Sequence, residues 1–158
     1  MKITKKYLNS VTWDGIERIN RFFTECFGAR DTETSKVASR HFWIGYAASV
    51  LHPGCRLGTP IILVGTHGCG TTEALALMGV REVGKECPAL KLPRNKSKFF
   101  VGTAMDWFVT KSDISRLDGR LIYVNVRLAK LDMIKDNLPQ LLAEATTYCN
   151  RGEKWWTP

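Results

Sequence analysis

The sequence has no apolar run long enough to cross a membrane. The longest apolar stretches, such as Pro60 to Val64, fall far short of the roughly 20 residues that a spanning helix needs. No apolar core follows the basic residues 1–6, so a secretory signal is not expected and a cytoplasmic location is. Cysteine is sparse and odd in number: Cys26, Cys55, Cys69, Cys87 and Cys149 contain no C-x-x-C pair. That set fits neither a disulfide framework nor a compact zinc site and reads as reduced thiols. Internal repeats, low-complexity tracts and weakly apolar runs of like charge are absent too, which argues against disorder beyond the termini.

What is present is a folded chain of one domain's size. The 158 residues, 44% of them apolar, suffice to bury a core without staples. We expect a single domain over 1–158, with a helical N-terminal part over 1–57 and an α/β part over 58–158. The net charge of +8 makes an acidic partner plausible, because Lys and Arg gain affinity for phosphate by releasing counterions. Residues 81–130 carry eleven Lys or Arg against five Asp or Glu. The densest point, Lys91, Arg94, Lys96 and Lys98, is a candidate contact for nucleic acid or an acidic protein, or simply a solvated charged loop.

Apolar residues at Ile16, Ile19, Phe22, Phe23, Cys26 and Phe27 have the spacing of one helical face, which Gly28 should end. A second helix is expected from Asp31 or Thr32 to about Leu51, with so broad an apolar face that it should lie deep in the fold. A short helix is expected over 71–78. In the last helix Pro139 suits the first turn, Leu138, Leu141, Leu142, Ala145, Tyr148 and Cys149 form a face, and Gly152 can cap the end. Three short apolar runs, over 61–64, 99–102 and 121–126, read as strands buried on both faces in a parallel sheet.

Between the first strand and its helix stands Gly65-Thr66-His67-Gly68-Cys69-Gly70-Thr71-Thr72. Glycine in the first and sixth places and a hydroxyl in the eighth reproduce the spacing of a phosphate-binding P-loop. Such glycines let backbone amides curl around phosphate oxygens at the positive end of the following helix. The seventh place, where a P-loop needs lysine, holds Thr71. Phosphoryl transfer depends on electrostatic stabilisation of the oxygens being displaced, so little hydrolysis is expected of a neutral side chain there. Nor does an apolar strand ending in Asp or Glu lie between Met78 and Phe99. Glu82 and Glu86 sit in polar surroundings, and Asp106 is flanked by Met105, Trp107 and Phe108. Gly65, Gly68, Gly70, Thr71 and Thr72 are therefore read as a vestigial phosphate-binding turn or a plain strand-to-helix connection, with no catalytic residue, metal or cofactor expected.

Several segments together resemble the virulence-associated protein E-like family of phage and plasmid primase-helicases: Tyr7-Leu8-Asn9-Ser10, Trp13-Asp14-Gly15 with Arg18-Ile19, His52-Pro53-Gly54-Cys55, Phe100-Val101-Gly102-Thr103, Gln140-Leu141-Leu142-Ala143-Glu144-Ala145 and Gly152-Glu153-Lys154-Trp155-Trp156. The resemblance implies a P-loop ATPase of the superfamily 3 or AAA+ kind from a mobile element in a bacterial host. Against that pattern Thr71 replaces the lysine, the acidic strand is missing between about Met78 and Cys87, and Met105 stands near the family's sensor asparagine. Arg120 is the one candidate for an arginine acting on a neighbouring subunit's phosphate, with a plain surface charge the favoured reading of it. Such ATPases order their sheet 5-1-4-3-2, so losing strands two and three leaves a truncated core of order 5-1-4, a small three-stranded, mainly parallel sheet between an N-terminal helical pair and a C-terminal helix. The strand over 99–102 would become an edge open to a homodimer unless residues 89–92 shield it.

The expected function is thus that of a non-enzymatic interaction or regulatory protein, binding a protein complex or nucleic acid and inhibiting replication or a host defence system. The alternative is a nucleotide-binding or DNA-stimulated ATPase with a non-standard turn, its cation supplied by Lys85, Lys91 or a neighbouring subunit. A third reading is DNA binding by residues 91–98 with Trp107 or Phe108 as a stacking surface.

Overall fold

A computed structural model describes residues 3–55, 59–66, 68–80, 101–105 and 122–156, with 101–105 described by backbone alone. The class is mixed α/β, with a small parallel sheet and helices. Among the described residues no helix is long and apolar enough to cross a membrane.

The first element, α1 (Lys5–Ser10), was not expected from periodicity. It starts at Thr4, whose side chain accepts the Tyr7 amide, and it buries Leu8. The expected helical face from Ile16 onward is corrected. Residues 11–18 are not helical, and Ile16 is 59% exposed. A 3-10 turn over Ile19–Arg21 leads instead into α2 (Phe22–Phe27). The physical reason is local capture of the backbone: Asp14 Oδ1 accepts the Ile16 amide at 2.9 Å, and the Trp13 indole donates to the Ile16 carbonyl at 2.9 Å. Those bonds compete with the helix for its first turn. Gly28 ends α2 as expected, with φ +66°.

Helix α3 (Glu33–Leu51) begins where the sequence indicated, with the Thr32 side chain accepting the Ser35 amide at 3.2 Å. Every residue from Phe42 to Ala48 is buried. Phe22, Phe23, Phe27, Phe42 and Trp43 form one aromatic cluster, with ring centroids 5.0 Å apart for Phe22 and Trp43 and 5.8 Å for the stacked Phe22 and Phe42. Ser39 crosses the α2–α3 seam, accepting the Phe23 amide at 3.1 Å and donating to the Ser35 carbonyl at 2.8 Å.

Strand β1 (Ile61–Gly65) is buried throughout and leads through the glycine turn to α4 (Thr71–Leu77). It pairs in parallel with β2 (Val101–Met105), Ile61 opposite Val101 and Gly65 opposite Met105, and with β3 (Ile122–Asn125), Ile61 opposite Ile122. The order is β2-β1-β3. The strand expected over 99–102 runs on to Met105, three residues beyond its expected end; Phe99 and Phe100 lie outside the described residues. Tyr46 of α3 ties the helical part to α4 through a 2.8 Å bond from its hydroxyl to the Met78 carbonyl.

The last helix, α5 (Leu131–Asn150), corrects another expectation. Pro139 lies inside it rather than in its first turn, giving up one backbone bond mid-helix. Its buried face nonetheless contains Leu138, Leu141, Leu142, Ala145, Tyr148 and Cys149, and Gly152 follows its end with φ +81°. Cys26, Cys55, Cys69 and Cys149 are free thiols.

Candidate functional site

Strand β1, buried on both faces, delivers the chain to the glycine turn with little choice of geometry. A Cβ on Gly65 would meet Cys69 Sγ at 2.9 Å and Val126 Cγ2 at 3.1 Å, so any larger residue would have to push both side chains aside. Gly68 and Gly70 have φ of +79° and +85°, the left-handed region that other residues enter at a cost. Gly70 is the N-cap of α4, and its carbonyl accepts the Ala74 amide at 2.9 Å. Thr71 is only 8% exposed, and its Oγ1 lies 3.5 Å from Cys69 Sγ. Thr72 is exposed.

The structure therefore brings Gly65, Gly68, Gly70, Thr71 and Thr72 into one turn. The position where a P-loop extends a cation holds a neutral hydroxyl packed against a thiol. A triphosphate there would meet backbone dipoles but no cation from this position, a poor fit for that much negative charge. Met105 ends β2 opposite Gly65. Among the described residues no group of three or more His, Cys, Asp or Glu is placed to hold a metal ion. The candidate contacts Lys91, Arg94, Lys96 and Lys98 lie outside the described residues, as do Lys85, Asp106, Trp107, Phe108, Arg120 and residues 89–92.

A strap that the sequence did not announce supports the turn. After β3, backbone amides bond alternately to its two sides: Val126 to the Val64 carbonyl at 2.8 Å, Arg127 to Phe27 at 2.7 Å, Ala129 to Cys69 at 2.7 Å and Lys130 to Cys26 at 2.8 Å. Ala129 also packs 3.4 Å from where a Gly70 Cβ would lie. Only the small, buried Ala129 could have signalled this contact.

The structure also joins two motifs that lie far apart in the sequence. Gln140 accepts the Asp14 amide at 2.9 Å and donates to the Thr12 carbonyl at 3.1 Å. One turn further along α5, Glu144 Oε2 accepts the Arg18 amide at 2.8 Å and the Ile19 amide at 3.1 Å. Arg18 holds both oxygens of Asp14, at 2.8 and 2.7 Å. That bond, with the Ile16 amide, takes the Asp14 carboxyl down to about 2. Glu144 moves the opposite way: its burial raises the pKa despite the two amides. Tyr148 packs edge-on to Trp13 at 5.5 Å. The trait shared by Gln140 and Glu144 in the sequence was their spacing of four, which puts both on one helical face.

No curated protein matches this sequence. The model of the virulence-associated protein E-like domain matches residues 8–117, from the α1 helix across the Trp13-Asp14-Gly15 segment, the glycine turn and β2. With the match covering more than half its length, the chain belongs to the virulence-associated protein E-like domain family.

Proposed function

We propose that this chain is a non-enzymatic interaction protein of a phage or other mobile element, built on the reduced core of a replicative helicase-type ATPase. The family suggests a phage- or plasmid-associated protein. The observation that carries the rest is Thr71, neutral, 8% exposed and packed against Cys69 in the place of the lysine. The sheet order β2-β1-β3 supports the same reading, because it fits strands four, one and five of a P-loop sheet without strands two and three. On this reading the glycine turn is a scaffold held by the strap over 126–130. The chain then acts by occupying a replication or defence complex, or its nucleic acid. The test is ATP turnover by the purified chain with and without single-stranded DNA. No hydrolysis above a buffer blank is expected; DNA-stimulated turnover would replace this reading with that of an ATPase using a non-standard turn.

A further inference from the structure

Glu144 has no exposed surface, and it is the group on which the loop over 12–19 closes. Its Oε2 holds the Arg18 and Ile19 amides, while Oε1 is buried without a hydrogen-bond partner among the described residues. Among the described residues no cation forms an ion pair with it. Glu17 on the loop adds a like charge, and the Arg18 guanidinium is committed to Asp14. Arg40 of α3 lies over the Tyr148 ring at 5.1 Å and pairs with Glu153, and Arg151 lies 5.9 Å from the same ring. The Tyr148 hydroxyl faces both acids: it lies 3.4 Å from Glu17 Oε1 and also helps to hold the Glu144 carboxylate charged. A carboxylate so placed has two amide donors on one oxygen, no partner within hydrogen-bonding distance for the other and an acid beside it, and its burial outweighs the help of the amides and of Tyr148.

We propose that Glu144 is a pH-sensitive latch for the N-terminal loop: taking up a proton tightens the loop on α5, and losing it loosens the same contact. Protonation removes the uncompensated charge, and the acid's carbonyl oxygen can still accept from the two amides. Burial first, then the Glu17 charge, raises the folded pKa above the ordinary 4.5. The folded loop therefore binds the proton more tightly than the released one, and docking strengthens as pH falls through the folded pKa towards 4.5. Above the folded pKa that contribution is gone. Asp14 sets the lower limit, since its bond to Arg18 is lost only as pH falls below 3.8 towards about 2. His41 on α3 has a pKa lowered by burial and by Arg40, so its contribution to global stability falls as pH drops below 6.5. The readout must therefore be local.

The experiment is amide hydrogen exchange at Arg18 and Ile19 between about pH 8 and 5, corrected for intrinsic rates, in the parent, Glu144→Gln and Glu17→Gln. In the parent, protection should rise as pH falls, by about tenfold for each unit by which the folded pKa exceeds the unfolded one. Glu144→Gln keeps an acceptor without a charge and should give flat protection. Glu17→Gln should move the midpoint to lower pH, and it keeps the test decisive should the first variant not fold. A flat profile in the parent, the same slope in Glu144→Gln, or an unmoved midpoint in Glu17→Gln would overturn the latch.

Discussion

Glu144 accepts two loop amides through one oxygen, so its truncation and its neutralisation have different consequences. Glu144→Ala strands two donors, whereas Glu144→Gln keeps an acceptor; at neutral pH the alanine variant should be less stable than the glutamine variant by about 2 kcal/mol in urea denaturation. In the aromatic cluster, Phe22 is 1% exposed and meets Phe23, Phe27, Phe42 and Trp43. Phe22→Ala should therefore cost about 3–5 kcal/mol by the same measurement. The thiols carry a chemical expectation. Burial pushes Cys26 up to about 12 and also raises Cys149, so neither forms thiolate near neutrality. Mass spectrometry after brief alkylation at about pH 8 should find both unmodified in the folded chain and modified once it is unfolded.

Among the elements, those whose ends are fixed by their own residues were legible. Thr32 starts α3, Gly28 stops α2 and Gly152 follows α5, each through a bond or a backbone angle that its residue type supplies. The errors came where a distant group sets the boundary. Ile16 fits the helical spacing of Ile19 and Phe22, yet Asp14 and Trp13 divert its backbone into a turn, and Glu144 meets the amides at which the 3-10 turn begins. No periodicity records a partner more than a hundred residues away. Proline suits a first turn, yet α5 begins eight residues before Pro139, at Leu131, beside the Lys130 amide bonded to Cys26. The glycine turn was legible in kind, because Gly70 needs a left-handed angle, while the burial of Thr71 beside Cys69 was not. Gly70→Ala should cost about 1–2 kcal/mol, read from thermal denaturation without nucleotide, since the strain belongs to the turn itself.

For the molecule as a whole, the proposed reading is tested by supplying what the glycine turn lacks. Restoring the lysine separates scaffold from engine: Thr71→Lys should bind ATP about tenfold more tightly than the parent, a gain of about 1.4 kcal/mol, while turnover stays absent. Calorimetry measures the first and phosphate release the second. Should nucleic acid be the partner through Lys91, Arg94, Lys96 and Lys98, four phosphate contacts on duplex DNA give a log-log salt slope of about −3.6, and a flat response would remove that class of partner.

The strap over 126–130 has one further consequence. Its amides are shared in alternation between the end of β1 with the glycine turn, at Val64 and Cys69, and the last residues of α2, so movement of one side strains the bonds to the other. A partner that pries at Cys69 pulls, through Ala129 and Arg127, on Phe27 and hence on the rings around Trp43. A pull on the glycine turn would thus be felt at Trp43, which has no exposed surface, and the fluorescence of that tryptophan is where the tug would be heard.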